Sequence, residues 1–280
     1  MRALDPEVVD AVWAAVEPLL PPPPPDRHPL GCHRPRVPDR AVFDVVLVRL
    51  VTGCSWVDAE RLCGGQVSDT TVRARRDEWI AAGVFDALFD EALAAYDRII
   101  HLDLSECAVD GSQHKAPCGG AGTGKNPTDR GRLGWKWSLR CDRNGTPLGW
   151  AIDGANRHDT TLVDATFDAA DDQGLLIDIE TLHLDRGYDN GPTRAAVAYA
   201  GIADLVCAKR RSAGNGGAKT YVPLGMRWPI ERTNSWLSNF GQLRRNTDRK
   251  IRHRLAQLNL AIVLLLTAKL IDWRDRWSPA

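Results

Sequence analysis

The sequence has no apolar run long enough to cross a bilayer: the longest, Leu260 to Leu266, falls far short of the roughly 20 residues a spanning helix needs. Its start lacks the basic residues and apolar stretch of a signal peptide, so secretion and membrane insertion are not expected. Cysteine is scarce. The seven (Cys32, Cys54, Cys63, Cys107, Cys118, Cys141, Cys207) are odd in number and scattered, with no C-x-x-C pair and no zinc-ligand spacing. That excludes a disulfide scaffold and a zinc finger, and fits reduced thiols in a cytoplasmic protein. Lysine is scarce too, seven against 29 arginines, a bias expected of a GC-rich bacterial genome. Neither sign of charge is in excess, since 36 Lys+Arg meet 36 Asp+Glu.

What is there is 280 residues, 44 % of them apolar, enough for one or two globular domains with a full core. The balanced charge hides an asymmetry. Lys209 to Arg254 holds twelve basic residues and two acidic ones, Glu231 and Asp248, for a charge of +10, and the rest of the chain carries −10. A surface for a polyanion is the expectation for that segment, which includes Arg227, Arg232, Arg244 and Arg245.

The first 98 residues read as a helical domain. Asp5 to Leu20 is stopped by Pro21 to Pro25, a run that cannot continue a helix and reads as a spacer. Helices at Ala41 to Val51 and Ser55 to Cys63 follow. Gly64-Gly65 then makes a turn, and Ser68 caps a segment with Val72, Trp79 and Ile80 on one face. This spacing suggests a helix-turn-helix, in which Arg73, Arg75 and Arg76 of the second helix would reach phosphates or base edges.

From residue 99 onward the pattern is that of a mixed α/β domain running to residue 280. Trp135, Trp137, Leu139 and Cys141 alternate with polar residues, Asn144-Gly145 supplies a hairpin turn, and Leu148, Trp150 and Ile152 alternate again. Before the hairpin, Cys107 to Val109 forms a short strand ending in Asp110. After it come a helix carrying Leu162, Val163, Thr166, Phe167 and Ala170, a strand from Ile179 to Leu184 ending in Asp185, a helix near 191–200 and a strand from Ala203 to Cys207. A last helix places Ile251, Leu255, Leu258 and Ile262 on its buried side.

Three carboxylates stand where such elements would aim them at one point. Asp110 and Asp185 end strands that lie about 5 Å apart if they pair, and Glu231 falls in the first turn of a helix that Pro229 can start. Clustered carboxylates repel unless a cation joins them, and Mg²⁺ takes carboxylate oxygens together with substrate phosphate. Gly119 to Lys125 satisfies the G-x-x-x-x-G-K part of a nucleotide loop. Asn126 stands where the Ser or Thr belongs and Pro127 follows, so a loop after the first strand is expected rather than nucleotide binding.

Three blocks in order carry a resemblance: Ala108 to His114 with Gly124 to Lys136, then Leu184 to Asp189, then Arg227 to Leu237. Together with Pro35-Arg36 and Thr52 to Trp56, they resemble the IS5 family of bacterial insertion-sequence transposases over residues 5–272. The resemblance implies an RNase H-like DDE catalytic domain that binds terminal inverted repeats, cleaves strands and joins them to target DNA. It implies Asp110, Asp185 and Glu231 as catalytic and metal-binding residues for two Mg²⁺, with Mn²⁺ able to substitute. Arg227, four residues before Glu231, would hold a phosphate. Lys136, Arg186 and His114 are further candidates for DNA contact. A homodimer in the cytoplasm, associated with the nucleoid, is implied as well. Leu224 and Ser238 stand where the wider transposase group places Tyr and Lys, and the 46 residues from Asp185 to Glu231 leave no room for an inserted β domain. A silent DNA-binding descendant and a simple metal-dependent nuclease are the alternatives.

Overall fold

A computed structural model describes residues 3–23, 25, 35–172, 174–175, 178–207 and 226–277. Lys209, Arg210, Arg211 and Lys219 of the basic segment lie outside them, as does Leu224. The chain divides into two compact units: Met1–Ile99 with Ser238–Asn246 and Arg252–Ala280, and Ile100–Leu237 with Thr247–Ile251. The first break lies beside the expected one at residue 98. The helical unit, however, also takes in two segments from within residues 99–280, the span expected for the α/β domain.

The helical unit begins with α1 (Pro6–Val16), whose N-cap Asp5 accepts from the Glu7 N–H at 3.1 Å. Helix α2 (Asp39–Thr52) ends at Gly53, which adopts φ 73°. A Cβ on Gly53 would lie 2.6 Å from the Gly241 carbonyl carbon, so glycine lets this turn meet α9 (Gly241–Arg244) backbone to backbone. Helices α3 (Trp56–Leu62) and α4 (Asp69–Ala81) are capped by Ser55 and Ser68 and joined through Gly64 and Gly65 at φ 84° and 67°. The unit is completed by α5 (Val84–Ile100) and α10 (Ile251–Trp277).

Helix α10 departs from the one-sided helix expected. Ile251 is exposed and Leu255 half-buried, whereas every residue from Ala256 to Leu266 is buried. A helix apolar all round is a central one, and side-chain periodicity then carries no signal. Among the described residues it is the one helix that could cross a membrane by length and composition, with 56 % of that stretch buried. Three of its buried polar groups are matched within the helical unit: His253 faces Asp77 at 3.0 Å, Gln257 accepts from Asn246 at 2.8 Å, and Asn259 donates to Asp86 at 2.7 Å.

The α/β unit comprises β1 (Glu106–Lys115), β2 (Gly124–Lys125), β3 (Leu133–Cys141), β4 (Pro147–Gly154), α6 (Val163–Asp171), β5 (Thr181–Leu184), α7 (Gly191–Tyr199), β6 (Asp204–Cys207) and α8 (Trp228–Leu237). Strand β1 pairs antiparallel with β3, and β3 with β4; on its other side β1 runs parallel to β5, and β5 to β6. This is the RNase H-like order. One sheet face buries Trp135, Trp137 and Leu139 with Ala108, Cys141 and Ile230 of α8, and Trp137 donates to Asn234 at 2.8 Å. On the other face Gly149 leaves room for α6, where a Cβ would lie 3.0 Å from Ala170.

Strand β1 does not stop at Asp110. Pairing continues through Gly111↔Ser138 to Lys115↔Gly134, so the polar run Gly111-Ser112-Gln113 is strand, and Asp110 is its fifth residue. Backbone pairing with an apolar partner strand here overrides weak local propensity.

Candidate active site

The parallel register Glu106↔Thr181 to Ala108↔His183 continues in sequence to Asp110 beside Asp185. Equal offset places both on the same sheet face, on strands about 5 Å apart. Asp110 accepts from the Gly111 N–H at 2.9 Å. Asp185 follows β5 directly and caps the tight turn Arg186–Tyr188, accepting from the Arg186 N–H at 2.6 Å. Glu231 lies in the first turn of α8, and the segment leading into that helix is held by the Met226 N–H donating to His183 Nδ1 at 3.3 Å.

Arg227 ties these elements together. Its Nη1 stands 3.3 Å from Asp185 Oδ1 and its Nη2 3.4 Å from Glu231 Oε1. Burial pushes the Asp110 carboxyl up to about 6; Arg227 and the Gly111 N–H pull it down, and the charges of Asp185 and Glu231 push it further up. All three acids therefore act on one small region. As the side chains stand, no three His, Cys, Asp or Glu among the described residues are grouped closely enough to hold an ion, and Arg227 lies between Asp185 and Glu231. The donor set itself fits a hard divalent cation: three carboxylates, of which Asp110 is half-buried and feels the charge of the other two.

A second arrangement backs this one, and the sequence reading missed it. Lys136, expected on the DNA backbone, is buried at 1 % exposure, and its ammonium donates to Arg157 O at 2.6 Å and Asp159 Oδ1 at 2.7 Å. A Cβ on Gly111 would lie 2.5 Å from that same Asp159 oxygen and 3.6 Å from the Tyr188 hydroxyl. Glycine beside Asp110 is thus what lets Asp159 and Tyr188 approach β1. No spacing in the sequence marks Asp159, which is a lone acid after a hairpin.

The remaining candidates divide. Arg75 and Arg76 are buried, so they are not groove-facing side chains. Arg75 pairs with Asp39 and Glu78, and Arg76 pairs with Asp77 at 2.8 Å and lies over Trp56 at 5.1 Å. Helical periodicity turns them inward while Arg73 stays exposed on α4, paired with Asp69. Arg186, Arg244 and Arg245 are exposed. Arg232 lies between Trp228 and Trp236, 4.4 and 4.7 Å from their ring centres, and donates to Asn144 O at 2.6 Å. In the glycine loop Gly124–Lys125 is strand, pairing with Leu133 and Gly134, so no helix N-terminus completes a nucleotide cradle.

His114 is buried, stacked on Trp137 at 3.8 Å between centres and hydrogen-bonded to Ser112 at 2.8 Å. Burial lowers its pKa from the ordinary 6.5 to about 3. A neutral ring held this way contributes stability that is complete above pH 6.5 and is lost as pH falls from there towards 3. The urea midpoint should therefore drop between pH 7 and 4.5, and His114→Gln should remove about 2–3 kcal/mol of that pH dependence. Equal pH dependence in both proteins would assign it to other groups.

Residues 101–266 match the "Transposase DDE domain" family model, and residues 8–89 match "Putative transposase of IS4/5 family". The chain is 38 % identical over 148 residues to the "Putative transposase for insertion sequence element IS402" of Burkholderia cepacia, an alignment covering 51 % of this chain and 67 % of that protein. It is 39 % identical over 124 residues to the "Insertion element IS402 uncharacterized 16.2 kDa protein" of the same organism, covering 44 % of this chain and 82 % of that protein.

Proposed function

The chain belongs to the DDE transposases, DNA-acting enzymes whose domain implies divalent-metal use, and we propose that it binds the terminal inverted repeats of its own insertion sequence and catalyses Mg²⁺-dependent strand cleavage and strand transfer. The observation that carries this reading is the convergence of Asp110 on β1 and Asp185, directly after the parallel β5, with Glu231 across Arg227.

Asp110, Asp185 and Glu231 would hold two Mg²⁺, or Mn²⁺ in their place. Bound there, such ions supply charge neutralisation at the phosphate and activation of the attacking oxygen. Arg227 has to leave Asp185 and Glu231 for that binding, and a DNA phosphate beside the site offers its guanidinium a bidentate partner. Arg186, next to Asp185, and Arg232, one residue past Glu231, extend positive charge to either side. Arg73, Arg244 and Arg245 remain as exposed cations of the helical unit for DNA contact. A homodimer pairs the two element ends, and the work takes place on the chromosome in the bacterial cytoplasm, at the nucleoid.

The test is a cleavage and strand-transfer assay on DNA carrying the sequences that flank this gene, run beside Asp110→Asn. Cutting at the repeat ends and joining to target by the wild type, with binding alone by the variant, is the expected result. Binding without cutting by both proteins would favour a silent DNA-binding protein, and cutting without joining a nuclease.

A further inference from the structure

The block from Gly124 to Lys136 contains a feature that the carboxylate site leaves unused. Strands β2 and β3 form a short hairpin: Lys125 pairs with Leu133, the Asn126 N–H donates to Arg132 O at 2.8 Å, and the Gly131 N–H donates to Asn126 O at 2.9 Å. Its tip is a four-residue turn closed by the Arg132 N–H donating to Asp129 O at 3.0 Å, with Arg130 at φ 54° and Gly131 at φ 70°. Two consecutive left-handed residues are the signature of a hairpin turn that favours Asn-Gly or Asp-Gly. Arginine at the first of them carries a steric cost that Asn or Gly would reduce.

The turn is nonetheless firmly built. Asn126 Oδ1 accepts from the Thr128 N–H at 2.9 Å and from its hydroxyl at 2.8 Å. Around it Lys125, Arg130 and Arg132 are exposed and make no ion pair or side-chain hydrogen bond among the described residues. Asp129 is the one acid from Lys125 to Arg132. Nothing lies within 4 Å of a Cβ placed on Gly131, so the tip faces open space.

Strand β1 fixes where that space is. It runs five residues from Asp110 to Lys115, whose partner is Gly134 at the foot of the hairpin. At about 3.4 Å per residue the foot lies roughly 17 Å along the sheet from the catalytic carboxylate. Duplex DNA advances about 3.4 Å per phosphate along one strand, so the same span is about five phosphates.

We propose that the β2–β3 hairpin is a DNA-backbone clamp, with Arg130 its outermost contact and Lys125 and Arg132 nearer its foot, engaging the duplex from about five base pairs (foot) to about eight (tip) away from the phosphate at Asp110. This rests on the transposase reading of the carboxylate site. A guanidinium in a conformation its own backbone disfavours is retained because the fork it presents meets phosphate oxygens.

The experiment uses the full chain and a duplex of random sequence, since a phosphate contact carries no sequence information. Arg130→Asn should raise the thermal midpoint, because Asn tolerates the left-handed region, yet weaken DNA binding several-fold. It should also reduce the slope of log K against log salt by about 0.9. Arg130→Lys should restore most of the affinity, and Arg132→Gln, at an ordinary backbone position, should repeat the loss of slope. On cleavable DNA, hydroxyl-radical protection about five to eight base pairs from the cut should disappear in Arg130→Asn and persist in Asp110→Asn. Unchanged affinity and slope in both Arg130→Asn and Arg132→Gln would overturn the clamp while leaving the carboxylate site untouched. A wild type with no affinity for any duplex would overturn both.

Discussion

Asp185→Asn will lower strand cleavage by roughly a thousandfold, equivalent to about 4 kcal/mol of lost transition-state stabilisation, while leaving DNA affinity within about threefold. The amide keeps the shape of the side chain and can still accept from the Arg186 N–H, which at 2.6 Å fixes the turn after β5. What it loses is charge. Asp185 is one of two carboxylates that Arg227 bridges, and its charge acts on Asp110 as well. Removing it relieves repulsion on Asp110 and gives up a half-exposed ion pair with Arg227, so the variant should fold within about 1 kcal/mol of the wild type. Loss of activity without loss of stability is what separates a chemical role from a structural one. Single-turnover cleavage of end-labelled DNA, with circular dichroism melting alongside, measures both. Cleavage within tenfold of wild type would remove Asp185 from the site.

Asp159→Ala should destabilise the protein by about 2–3 kcal/mol, although Asp159 itself is 38 % exposed at its side chain. The cost arises at its partner: Lys136 is 1 % exposed, and without Asp159 it keeps the Arg157 carbonyl alone among the partners described. Lys136→Met should cost less, since it removes the buried charge and returns Asp159 to water. The double variant should then resemble Lys136→Met, so the two single effects will not add. Urea unfolding of the four proteins gives the cycle. Additive losses would show that the two side chains do not act on one another.

The elements legible in the sequence were those with a local signature. Trp135 to Cys141 alternates, Asn144-Gly145 turns the chain, and Ser55 and Ser68 cap helices, each within a few residues of the signal that announces it. The three acids stand out in the sequence for the same reason, since each adjoins such an element. Other features depended on distant partners. Gly111 to Gln113 became strand only through pairing with β3, and Arg75 and Arg76 turned inward where acids and Trp56 await them. Lys136 looked like a surface cation until Asp159, 23 residues later, drew it into the interior. Charge in a sequence gives the sign of a residue and not the direction in which it points.

The discontinuous helical unit sets an order of events at the ribosome. Helices α1 to α5 emerge first, but α9 and α10, which complete their core, are made only after the entire sheet domain. At about 5–20 residues per second, the interval from Ile100 to Arg252 leaves the early helices waiting for roughly 8–30 seconds. A chain released before α10 is finished therefore carries its carboxylates without a closed helical unit. Closure of the helical unit therefore waits on the synthesis of α10.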